Sequence, residues 1–248
     1  MTRKDRKSKA AQKKKDRLEM ERRMNERVAI VKLANTQTDP LDQLPSFQTF
    51  RKNDVSLNLS TQRVTDLSDA RKVWVMDLIR TNMKALYEQS SWGWKEATKQ
   101  EEMYDDAAWY LIAETEDGVP VAYAQFRYDM DYDDEVLYVY EIQLEEAYRR
   151  KGLGKFMMMI LELLSFKADM RKIMLTAFKH NKEANQFFKG ALKYEIDETC
   201  PLDDVHEQFD YEILSKFNKK KLAREAKELS EQENHAHNSQ GGGCCGGH

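Results

Sequence analysis

Three cysteines, four prolines and ten glycines in 248 residues set the first limits on this chain. Cys244 and Cys245 adjoin each other near the C-terminus and Cys200 stands alone, so a disulfide framework is excluded. The sequence has no run of 18 apolar residues, and no membrane-spanning helix is expected. The first residues lack the apolar stretch of a secretory leader, and Thr2 stands where N-myristoylation needs glycine. Cytoplasm and nucleus are therefore the expected compartments, with no membrane partner. The five histidines show no metal-ligand spacing, so no metal is expected; Cys244 and Cys245 with His235, His237 and His248 read as part of a disordered tail.

Charge is unevenly spread. Residues 1–17 hold nine basic and two acidic side chains, and removing that excess of seven positive charges from a chain of net −3 leaves −10 on the rest. Such a body attracts cationic substrates, while the basic arm suits localisation or a weak contact with a polyanion such as the ribosome. Three segments follow from this: residues 1–24 as a partly disordered basic arm, 25–218 as the folded domain, and 219–248 as a charged helix and a Gly/Cys/His tail. A monomer is expected.

Within the domain, apolar periodicity gives a docked helix ending near Leu33, broken by Pro40 and Pro45, then a short strand over Val55–Leu59. Ser68 is placed to cap a helix carrying Val73, Val75, Leu78, Ile79, Met83 and Leu86, which the loop SSWGWK ends. Asp117-Gly118 joins two apolar runs as a hairpin, and a third run completes a meander. Thereafter a buried helix to about Phe166, a strand over Lys172–Phe178, a helix over Lys182–Ala191 and a strand over Tyr211–Leu214 are predicted.

Between the third strand of the meander and the buried helix lies YRRKGLGKF, which contains Gly152 and Gly154. Glycines at a helix start let phosphate approach unpaired backbone N–H groups, and Arg149, Arg150 and Lys151 add positive charge there. Neither the P-loop spacing nor the three-glycine dinucleotide fingerprint is met. A tight strand-to-helix turn with glycines for packing is the bland alternative.

Arg149-x-x-Gly152-x-Gly154 matches the R/Q-x-x-G-x-G/A motif of the GCN5-related N-acetyltransferase family. The runs YEQSSWGWK, DEVLYVYEIQLE, RRKGLGKF, MLTAFKHN and YEIL, in order between about residues 25 and 218, resemble the NatD-type N-terminal acetyltransferases of that family. The resemblance implies an α/β fold with a mixed, mostly antiparallel central sheet splayed between the family's fourth and fifth strands, here about Val136–Leu144 and Ile173–Ala177. Helices flank that sheet and a helical arm precedes it. Acetyl-CoA is the implied co-substrate. Its pantetheine arm would pair with the strand backbone at Ile142, Gln143 and Leu144, and its pyrophosphate would lie on Arg149, Arg150, Lys151, Gly152, Leu153, Gly154 and Lys155, with Asn181 nearby.

The same resemblance places the general base at Glu141, acting directly or through a water, with Tyr140 positioning the amine. An α-amine has a pKa near 8, so a modest base suffices. Read from residues alone, Glu141 is equally a strand carboxylate satisfied by its neighbours. Simple alternation puts Tyr138 and Tyr140 on one face and Glu141 on the other; the β-bulge of the family's fourth strand would bring them together. Tyr87, Trp92, Tyr138, Thr176 and Tyr211 are the implied walls of the peptide site.

NatD-type enzymes acetylate the N-terminal amine of histone four and histone two-A, which begin Ser-Gly-Arg-Gly. In DMDYDDE, residues 129–135, Asp129 and Asp131 match the family's acidic contacts to the third-residue arginine, the second being Asp where Glu is expected; a solvated charge run is the alternative. Two further departures concern Phe188, where relatives carry a tyrosine that protonates the leaving thiolate, and Lys193, where the family has glycine. Rival activities are acetylation of a lysine side chain or polyamine on the same fold, and coenzyme A binding without turnover in a chromatin protein.

Overall fold

A computed structural model describes residues 3–240, with side chains described for residues 12–231. Eight strands form one sheet in the order β1-β2-β3-β4-β5-β6-β8-β7. These are β1 (Thr49–Lys52), β2 (Val55–Arg63), β3 (Trp109–Glu114), β4 (Pro120–Asp131), β5 (Asp134–Leu144), β6 (Lys172–Phe178), β7 (Glu195–Ile196) and β8 (Tyr211–Phe217). Every neighbouring pair is antiparallel except β5 and β6. The mixed, mostly antiparallel α/β architecture expected from the resemblance is therefore present. The two strands flanking its parallel step are fifth and sixth here because an extra N-terminal strand precedes the rest.

Helices cover both faces. On one side α4 (Leu153–Lys167) buries Leu153, Met157, Met158, Ile160, Leu161 and Leu164 in the larger core, joined by Val31 and Ala34 from α1 (Arg3–Ala34). On the other, α2 (Asp69–Glu88) and α3 (Glu96–Met103) pack Val75, Met76, Leu78, Ile79 and Met103 against Tyr110, Ile112 and Tyr123. Ser68 caps α2, accepting from the Arg71 N–H at 3.3 Å. The sequence reading missed α3 and β1, and stopped β2 and β8 too early. It treated Lys182–Ala191 as one helix, whereas α5 (Lys182–Asn185) widens into a π-turn over Gln186–Ala191.

Helix α1 runs without interruption past residue 24, so that boundary does not coincide with a break in structure. Its last turns are tied to the body by charge: Arg27 reaches the carbonyl of Asp133 at 2.6 Å and Glu135 at 3.6 Å. Lys221, on the C-terminal helix α6 (Lys219–Gln240), also pairs with the fully buried Glu135. The Cys244-Cys245 pair and the glycine-rich end lie outside the described residues.

Candidate active site

The parallel ladder between β5 and β6 is short, running only from Val136↔Lys172 to Val139↔Leu175. Beyond it Glu141–Leu144 stays paired with β4, and Thr176–Phe178 with β8, so the two strands part and leave a wedge open in the sheet. At the mouth of this wedge β5 carries a bulge. Gln125 pairs with Glu141 and Phe126 with Val139, which leaves Tyr140 without an opposite residue. Leu137 and Val139 before it, and Ile142 and Leu144 after it, all join the core under α4. Tyr138, Glu141 and Gln143 consequently face α2 and α3 together, correcting the simple alternation that separates Tyr138 from Glu141.

Glu141 is 7% exposed and fully engaged. Its Oε1 lies 2.6 Å from the Lys99 ammonium, and its Oε2 accepts from Gln143 Nε2 at 2.8 Å. Lys99, 6% exposed on α3, also donates to the Tyr87 hydroxyl at 2.9 Å and pairs with Glu102. Burial pulls the Lys99 pKa down, but Glu141, Tyr87 and Glu102 outweigh it and hold the ammonium above the ordinary lysine value. Nothing in the sequence signals this lysine: four of the eight residues of EATKQEEM are charged.

Tyr138 and Tyr140 stand with ring centroids 5.0 Å apart, the Arg127 guanidinium lies 4.3 Å above the Tyr140 ring, and the Tyr138 hydroxyl meets Thr176 Oγ1 at 2.6 Å. Burial pushes Tyr138 up to about 12 and raises Tyr140 and Tyr87, so all three are neutral phenols near pH 7. Trp92, 39% exposed in the loop after α2, packs on Phe178 at 5.2 Å and on Tyr211 at 4.9 Å. Tyr87 meets Phe178 edge-on at 5.0 Å. These rings form one aromatic wall beside the splayed ends of β6 and β8.

Four of the five acidic side chains in residues 129–135 divide into two pairs. Asp134 and Glu135 are engaged by Arg27, Arg171, Lys172 and Lys221. Asp129 and Asp131, alternating with Arg127 along β4, share the sheet face of Tyr138 and make no ion pair with any described residue. Asp129 accepts only its neighbour's N–H, from Met130, while Asp131 Oδ2 is buried with no hydrogen-bond partner. Burial raises the Asp131 pKa.

At the other end of the wedge, α4 starts at Gly152, whose φ of +93° is left-handed, and no side chain caps the helix. Arg150 is left-handed too, at φ +60°. Arg149, Arg150, Lys151 and Lys155 have no carboxylate within ion-pair distance among the described residues. Lys52, on the β1–β2 hairpin, joins them: its chain lies 3.7 Å from where a Gly152 Cβ would stand, and Asn53 Nδ2 donates to the Lys151 carbonyl at 3.1 Å. The sequence reading missed Lys52, since only the folded hairpin brings it here. Unneutralised cations beside an uncapped helix start suit the phosphates of acetyl-CoA, and the unpaired β5 edge suits an amide-bearing arm.

Some predicted contacts have other engagements. The Leu144 carbonyl accepts from Arg149 Nε at 3.1 Å and Asn82 Nδ2 at 3.3 Å, and Asn181 caps α5 by accepting from the Ala184 N–H at 3.1 Å. Leu153, the first residue of α4, is buried, and a Cβ on Gly154 would meet Phe187 at 3.5 Å and Leu144 at 3.9 Å, ordinary contact distances that leave room for a methyl. Phe188 is buried against Phe187 and Tyr194. Lys193 keeps a left-handed turn, φ +61°, that glycine would adopt without strain.

An open sheet wedge, a cationic helix start and a buried carboxylate thus lie together on one α/β sheet. Residues 77–192 match the acetyltransferase (GNAT) family, so over that stretch the chain is similar to that family. Solved structures similar to it include a GNAT-family acetyltransferase from Listeria monocytogenes, 14% identical, where 68% of this chain covers 99% of that one with a TM-score of 0.48. PaiA N-acetyltransferase from Thermoplasma acidophilum, solved with coenzyme A, is 13% identical over 66% and 99% of the two chains, TM-score 0.48. Ard1 from Thermoplasma volcanium is 14% identical over 64% and 97%, TM-score 0.45.

Proposed function

We propose that this chain is an acetyl-CoA-dependent acetyltransferase acting on protein N-termini, and that its substrates begin Ser-Gly-Arg-Gly, as histone four and histone two-A do. One observation carries the reading: two aspartates, one with a buried unpartnered oxygen, face the same side of the sheet as Glu141, while Asp134 and Glu135 are already paired. A guanidinium two residues beyond the reacting amine would give those oxygens charge-assisted partners. The aromatic wall of Tyr87, Trp92, Tyr138 and Tyr211 supports a short extended peptide.

Bound acetyl-CoA supplies a thioester with a good leaving group. Arg149, Arg150, Lys151, Lys155 and Lys52 hold its phosphates at the start of α4, and the β5 edge aligns its arm. Glu141 takes the proton from the substrate ammonium, through water if no lone pair is reached directly, and Lys99 holds the carboxylate in place. The neutral amine then adds to the thioester carbon and the C–S bond breaks as the amide forms; Phe188 has no proton to give, so the thiolate leaves as the anion and takes up the second proton that the nitrogen sheds, a free thiol having a pKa of about 8.5.

Mass spectrometry of a Ser-Gly-Arg-Gly peptide carrying an internal lysine, incubated with acetyl-CoA, tests the proposal. Acetyl on the α-amine supports it. Acetyl on the lysine favours a side-chain transferase, and none at all favours a coenzyme A-binding module.

A further inference from the structure

Between the cationic loop and Glu141 runs an ordered chain of hydrogen bonds. Arg149 Nη2 donates to Asn82 Oδ1 on α2. Asn82 Nδ2 then donates to Gln143 Oε1 at 2.9 Å, and Gln143 Nε2 to Glu141 Oε2 at 2.8 Å. A side-chain amide can turn either end outward, but both ends of this chain fix the direction. Arginine can only donate, so Asn82 must show it oxygen; an ionised carboxylate can only accept, so Gln143 must show it nitrogen. The two amides then meet donor to acceptor, and reversing either one alone sets like against like. Gln143 is 6% exposed, so water does not readily substitute. Asparagine is a poor helix former, yet Asn82 occupies the interior of a 20-residue helix with its amide committed to this chain.

We infer that Asn82 and Gln143 are positioning residues that couple the state of the Arg149 loop to the orientation of the Glu141 carboxylate. Occupation of the loop by the phosphates of coenzyme A fixes Arg149, which fixes both amides and with them the carboxylate oxygen turned toward the amine. The inference rests on the reading of Glu141 as base. Coupling of this kind is reciprocal, so a change at Glu141 is felt at the loop.

The test uses the full chain labelled with nitrogen-15 and coenzyme A alone as probe. In the wild type the side-chain amide resonances of Gln143 move as coenzyme A is added. In Asn82→Ala they stay in place while the backbone resonances of Gly152 and Gly154 still respond. Asn82→Asp, which keeps an acceptor for Arg149 but has no donor for Gln143, gives the same result and guards against a folding defect in the first variant. With acetyl-CoA and Ser-Gly-Arg-Gly peptide, both variants lose about tenfold in kcat with the acetyl-CoA KM changed about twofold or less, and neither adds to the loss in a Glu141→Gln background. Gln143 resonances that respond equally in the Asn82 variants overturn the coupling, as do losses that add to that of Glu141→Gln. Full turnover by Glu141→Gln overturns the base assignment instead, and the resonances then decide the coupling alone.

Discussion

A lysine as buried as Lys99 must keep its partners, because an isolated ammonium away from water is costly. Its raised pKa sets the sign of its contribution: the stabilisation is complete below the ordinary lysine value, about 10.4, and is lost only as pH rises through the higher folded value. Lys99→Met keeps the shape and removes the charge, leaving the buried Glu141 with Gln143 alone. Urea unfolding at pH 7 should show a loss of about 3 kcal/mol, and adding Glu141→Gln should recover much of it. A loss near zero would mean that water replaces the ammonium. The lysine was invisible in the sequence for a physical reason: half of EATKQEEM is charged, and the face it buries is chosen by β4 and β5, far away in the chain. Glu141 itself was legible only through resemblance, since a strand carboxylate carries no local mark of its partners.

Two short elements turn an ordinary sheet into a site. The bulge at Tyr140 rotates the end of β5 so that Tyr138 and Glu141 share a face, and no composition rule announces the extra residue. The strands themselves could be read, because β-branched and aromatic runs punctuated by Asp117-Gly118 leave few alternatives; the early end given to β2 reflects its polar Ser60-Thr61-Gln62 extension. The glycine loop was legible as a phosphate site, yet its two glycines differ. Gly152 is left-handed, and a residue with a Cβ there costs about 1–2 kcal/mol in backbone strain and comes into contact with the Lys52 side chain. Gly152→Val should therefore weaken acetyl-CoA binding about tenfold in calorimetry on a folded variant, and unchanged affinity would refute the role of the loop. Gly154→Ala, whose new methyl makes ordinary contacts with Phe187 and Leu144, should cost far less.

On the scale of the whole molecule, an excess of seven positive charges at one end faces a remainder of net −10, and long-range and local electrostatics predict different salt behaviour. Attraction of any cationic peptide to the acidic body acts over distance and is screened within about 10 Å at 0.1 M salt. A guanidinium seated between Asp129 and Asp131 acts at contact. Raising salt should thus lower kcat/KM for all cationic peptides together, while the preference for Ser-Gly-Arg-Gly over Ser-Gly-Ala-Gly stays at tenfold or more, the scale of one charge-assisted hydrogen bond of roughly 1.5 to 3 kcal/mol. Asp129→Ala with Asp131→Ala should erase most of that preference at every salt concentration. The pH dependence carries a sign as well: burial raises the Asp131 pKa above its ordinary 3.8, so as pH falls this carboxylate takes up its proton before an exposed aspartate does. The preference should fade on the acid side at a pH above the usual aspartate range. Efficiency that follows total peptide charge alone, with both aspartates dispensable, would return the pair to the solvated run that the sequence equally allows.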